Sequence, residues 1–181
     1  MSQTNVQPTV TDLIREDHAQ VRELFHNYRT DATSTAKQKL VGAASRALET
    51  QARLKAEIFY PALRALATDE AALAKSEAEH LQMHSLIGQL RDMRPTATRY
   101  DDTVATLVDL FTHHMRDEEA VLLPKAERVL PDELTQLGSQ MRSRRQVLSG
   151  PSLGQVGTAL LAAGGLVAGG YLIKRALDRR V

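Results

Sequence analysis

The chain has 181 residues, no cysteine and no tryptophan; 43% of its side chains are apolar and 4% aromatic. The missing cysteine excludes disulfides, thiolate metal sites and cysteine nucleophiles, and the length allows one ordinary domain plus an appendage. A net charge of +1 hides an asymmetry: from Arg142 onward there are seven basic residues and one acid, which leaves 16 basic and 21 acidic residues before it. An acidic body argues against a nucleic-acid partner, and a basic tail suits a membrane-proximal element.

Apolar periodicity predicts four long amphipathic helices and no strand. The first runs from an N-cap at Thr11 to about Arg29, with Ile14, His18, Val21, Phe25 and Tyr28 inward. The second spans about Thr35 to Ala67, bent at Pro61, and its inward face reads Ala44, Leu48, Gln51, Lys55, Ile58/Phe59, Ala62. The third follows Thr68-Asp69-Glu70 and reaches Met93, with Leu73, His80, His84 and Ile87 inward. The fourth runs from about Thr98 to Leu130 through Pro124, with Val104, Leu107, Phe111, His114, Glu118 and Val121 inward. A short fifth helix follows Pro131. Short connections make neighbours antiparallel, so residues 8–148 are expected to form an all-α, up-down four-helix bundle.

A single histidine on an apolar stripe is most often a hydrogen-bonded core residue, but here three of the four stripes carry one. His80 and His84 are four apart, as are His114 and Glu118, so each pair projects from one helix face. Imidazoles and a carboxylate converging inside a bundle are the ingredients of a metal site. His113 and Glu119 lie about 100° off the fourth row and are expected to face solvent, Glu119 turning inward only if the helix rotates. His26 is peripheral on this reading.

The stretches DLIREDHAQVRELF, EIFYPAL, AEHLQMH and FTHHMRDEEAVLLPKAE together resemble the hemerythrin-like (HHE cation-binding) domains over roughly residues 8–145. The resemblance implies a bundle around a non-haem, oxo-bridged di-iron centre that binds O2 or NO, senses redox state or handles iron. It assigns metal-ligand places to His18, His80, His84, His114 and Glu118. It departs at the second helix, where the family's His-x-x-x-Glu is Gln51-x-x-x-Lys55. A neutral amide is a weak donor and an ammonium repels cations. Lys55 therefore either replaces a metal ion and pairs with Glu118, or snorkels to solvent. The expectation is non-haem iron, one ion rather than two, with metal-free packing as an interaction or assembly module as the alternative.

Residues 149–181 are a different object. They hold seven of the ten glycines, and Val156–Ile173 is an 18-residue stretch without charge, followed by Lys174-Arg175. As a helix it would span ~27 Å, near the thickness of a bilayer core. The expectation is a C-terminal anchor holding the bundle at the cytoplasmic face of a membrane, with Gly165 and Gly169 as a helix-dimer face and a wholly cytoplasmic protein as the alternative. No secretory signal is expected from the N-terminus. Arg142, Arg144 and Arg145 would then sit near anionic headgroups.

Overall fold

In a computed structural model, which describes residues 7–66 and 70–150, the described chain consists of helices and turns. Helix α1, Val10–His26, begins on Thr9, two residues before the predicted cap. Thr9 Oγ1 accepts from the Asp12 N–H (3.2 Å) while Asp12 Oδ2 accepts from the Thr9 N–H (2.9 Å), which satisfies two orphan donors of the first turn. Thr11 itself is buried.

Helix α2, Ser34–Leu54, passes through a single π-helical turn, Lys55–Phe59, into α3, Tyr60–Arg64. Helix α4 is Glu70–Asp92. Helix α5, Tyr100–Asp117, repeats the device: a π-turn at Glu118–Leu122 leads into α6, Leu123–Val129. In each case a proline, Pro61 or Pro124, follows one residue after the turn. The widened turn restarts the helix with proline in its first turn, where the missing N–H costs little. The bend predicted at Pro61 is therefore a π-turn. Helix α7, Leu134–Ser149, completes the described chain.

The helices form an antiparallel four-helix bundle, α1 against α2 and α4 against α5, with α7 laid over α1 and α2. Its core is two apolar blocks. Val10, Leu13, Ile14, Leu54, Phe59, Leu63 and Leu123 belong to one; Val21, Phe25, Leu48, Met83, Ile87, Leu107 and Phe111 belong to the other. Each such side chain contributes roughly 1.5–3 kcal/mol on burial. Where the blocks meet, α1, α2, α4, α5 and the two π-turns bring in the buried polar residues His18, Gln51, Lys55, Ser76, Glu79, His114 and Glu118.

Helix α7 clasps the start of the chain. A Cβ on Gly138 would lie 2.5 Å from Pro8 O and 2.9 Å from Thr9 C, so only glycine lets the helix cross the α1 cap. The arginines expected near headgroups are engaged internally: Arg142 donates to Pro8 O (3.1 Å), Arg144 to Glu57 (2.6 Å) and Arg145 to Asp17 (2.6 Å). The predicted apolar segment 156–173, with Gly165 and Gly169, lies outside the described residues. Among those described, no helix is long and apolar enough to cross a membrane.

Candidate metal centre

The polar layer is built around Glu118, the first residue of the second π-turn and almost fully buried. Its Oε2 accepts from Lys55 Nζ at 2.7 Å, and Nζ also lies 3.1 Å from His114 Nε2. Lys55 opens the first π-turn and is 1% exposed, so it points inward rather than snorkelling. Glu118 Oε1 accepts from the Tyr60 hydroxyl at 2.8 Å, and that hydroxyl also bonds Ser76 Oγ at 2.7 Å.

Burial alone would raise the Glu118 carboxyl, but the Lys55 ammonium, with His114 and His18, holds it well below the usual carboxylate range. Burial, and then its neighbour Glu118, raises the Tyr60 hydroxyl well above the usual phenol range.

Two carboxylates orient the imidazoles from behind. His114 Nδ1 donates to Glu79 Oε2 (3.0 Å) and His18 Nδ1 to Glu119 Oε1 (2.8 Å). Those bonds turn each Nε2 toward the centre, the arrangement that outer carboxylates impose on metal-binding histidines. His18 Nε2 stands 3.0 Å from Glu118 Oε2, at ion-pair distance but without hydrogen-bond geometry. His80 stacks on Tyr60 and lies 4.5 Å from the His114 ring, and its buried Nε2 has no partner. Burial, then the charges of Lys55 and His114, pushes His80 down to about 2, so the ring is neutral. Both amide atoms of Gln51 are buried without partners.

Of the residues singled out by sequence, the structure brings together His18, His80, His114, Glu118 and Lys55. His84 is not among them: its side chain is 71% exposed, and its Nε2 lies 3.9 Å from Glu49 on α2. The inward row of α4 is Leu73, Ser76, Glu79, Met83, Ile87, which puts His84 one residue, about 100°, off the face. That same shift hid Glu79. Glu119, expected toward solvent, turns inward to His18 because the π-turn rotates it.

The donors of His18, His114 and Glu118 all lie within 4.8 Å of one another. A dinuclear cluster does not fit this site, since Gln51 and Lys55 supply a weak donor and a cation where ligands are needed. A single divalent ion fits His18 Nε2, His114 Nε2 and the Glu118 carboxylate once the ammonium is elsewhere, with the His80 ring beside them.

A helical bundle with imidazoles around an internal carboxylate defines a cation-binding class of α-helical protein. The model of the hemerythrin HHE cation binding domain matches residues 9–126, and the chain belongs to that family. It is 28% identical over 127 residues to a DNA nickase from Nostoc sp. strain PCC 7120, a match covering 70% of this chain and 36% of the relative. The chain thus spans about a third of that protein's length. A crystal structure of a hemerythrin HHE cation binding domain-containing protein from Mycobacterium kansasii superposes with a TM-score of 0.65 at 21% identity. That match covers 76% of this chain and 85% of the other, a likeness of fold.

Proposed function

We propose that this protein binds one divalent first-row metal ion among His18, His80, His114 and Glu118, in competition with the ammonium of its own Lys55. The observation that carries this reading is the convergence of His18, His114 and Glu118, whose donor atoms lie within 4.8 Å of one another, beside a buried His80 Nε2 that has no hydrogen-bond partner. Buried donors so arranged suit a cation. Glu79 and Glu119 hold two of the rings for it; Tyr60 and Ser76 hold the carboxylate. An ammonium ~4 Å from a divalent ion is repelled by roughly 8 kcal/mol at an effective dielectric near 20. The ion and Nζ therefore exclude each other, and binding is weaker than the donor set alone would give. When bound, the ion would supply a coordination position for O2 or NO, or a redox change to be sensed.

Metal titration of the chelator-treated protein with Fe(II), Mn(II) or Zn(II) tests this. The expected result is one ion per chain, bound roughly 100-fold tighter (~2.7 kcal/mol) by Lys55→Met or Lys55→Gln. No binding by wild type or either variant, with helicity intact, would move the protein to a second reading. That reading is a metal-free interaction module, favoured by the 2.7 Å Lys55–Glu118 pair, which satisfies the carboxylate unaided.

We also propose that residues 156–173 tether the bundle to the cytoplasmic face of a membrane, with Gly165 and Gly169 pairing two copies. This rests on the uncharged 18-residue stretch and its basic flank. Truncation after Gly150 should release the protein from the membrane fraction; release of the full chain by high salt alone would refute the tether. Nucleic acid has no part in this reading, because the body before Arg142 carries 21 acidic residues against 16 basic ones.

A further inference from the structure

A second group of donors stands outside the centre, shared between α4 and α5. Glu79 divides its carboxylate: Oε2 takes the His114 Nδ1 bond, while Oε1 lies 3.2 Å from Nδ1 of the neighbouring His113. That nitrogen is also 3.6 Å from Oδ2 of Asp117, one turn further along α5. One ligand atom from each of Glu79, His113 and Asp117 falls within 4.8 Å of the other two. Donors held ~2.1 Å from one tetrahedral ion stand about 3.4 Å apart, so the two short separations suit a shared metal.

Two further observations give the group a use. Lys75, one turn before Glu79, sets its Nζ against Asp117 and 3.9 Å from Glu79 Oε1, so the position already draws a cation. The Lys75 side chain is 52% exposed and free to swing into water with its charge. In addition, a cleft of about 200 Å3 between α4 and the second π-turn is lined both by Glu79 and Asp117 of the outer group and by His114 and Glu118 of the centre.

We propose that Glu79, His113 and Asp117 form a second, solvent-facing site for a divalent first-row cation, and that this site is the port through which the centre is loaded. The site itself asks nothing of the buried centre; its role as a port rests on the cation-binding reading above. With the ring proton on Nε2, His113 Nδ1 offers a lone pair, the two carboxylates supply two negative charges, and water completes the shell. Acidic groups lining a cleft raise the local concentration of cations. Water and Lys75 compete for the position, so the outer ion is held loosely and adds a second, weaker step to the metal titration.

The test is Zn(II) titration of the full chain and of His18→Ala, which disables the centre, with the His113 ring nitrogens read by 15N NMR. The expected result is a saturable shift of His113 Nδ1 in both proteins, lost in Asp117→Asn. Lys75→Gln should tighten this step ~10-fold by removing the competing ammonium. With the centre intact, Asp117→Asn should slow its filling roughly 10-fold at unchanged final affinity, as measured by stopped-flow with a zinc indicator. No shift of His113 Nδ1, or a shift that survives Asp117→Asn, overturns the outer site. Filling at the wild-type rate in Asp117→Asn overturns the port. A centre that takes no zinc in any variant refutes the single-ion reading instead, and the His113 shift in His18→Ala still decides the outer site.

Discussion

Glu118→Gln is expected to cost about 3–5 kcal/mol of folding stability in metal-free protein, a large share of the ~5–15 kcal/mol that a domain has. The substitution preserves shape, so the loss is electrostatic. It strips the buried Lys55 ammonium of the one anion it hydrogen-bonds among the described residues, leaving His114 Nε2 beside it. The reverse loss is smaller, because Lys55→Met leaves a carboxylate that still accepts from Tyr60 and has two imidazoles beside it. Removing both charges in Lys55→Met/Glu118→Leu should recover most of the deficit, since a buried ion pair gains little over apolar replacement. Urea unfolding of the three variants measures this. A Glu118→Gln loss under 1 kcal/mol would mean that Lys55 is uncharged or that water reaches it.

Acid should unfold the metal-free bundle earlier than its surface ion pairs suggest. His80 is held neutral with its value lowered to about 2, whereas in the unfolded chain it is near 6.5. Between those limits the unfolded state binds the extra proton. Stability is thus complete above pH 6.5 and falls by ~1.4 kcal/mol per unit as pH drops toward 2. Glu118 is also depressed, so its contribution is present above its unfolded value and is lost as pH falls below about 4.5 toward its folded one. The loss attributable to His80 alone reaches about 3 kcal/mol by pH 4.5. His80→Phe keeps a ring against Tyr60 and should flatten the profile between pH 6.5 and 4.5. An unchanged slope in that variant would remove His80 as its source.

The four helices and the inward placement of His18, Gln51, Lys55, His114 and Glu118 were legible because apolar residues three and four apart flank them on α1, α2 and α5. The α4 face was misread. Its row runs through Ser76 and Glu79, polar residues that a search for apolar periodicity skips, so His80 and His84 look like its centre when they stand at its edge and outside it. Glu119 was misplaced for a different reason: a constant 100° per residue does not hold across a π-turn, and no residue type announces one. The prolines mark where the helices change, though not how. The carboxylate partners Glu79 and Glu119 could have been found only by asking what each histidine's second nitrogen bonds, which is a question about neighbouring helices.

The π-turns also place a constraint on change. Each amounts to an α-helix with one residue inserted, so the chain on either side is out of phase by about 100°. Deleting a residue from 55–59 would restore the regular spiral and swing Phe59, Tyr60 and Leu63, all fully buried, round the axis together. The apolar core is packed against the register that each π-turn sets. Side chains of the centre can be substituted singly, whereas shortening the backbone would unpack that core.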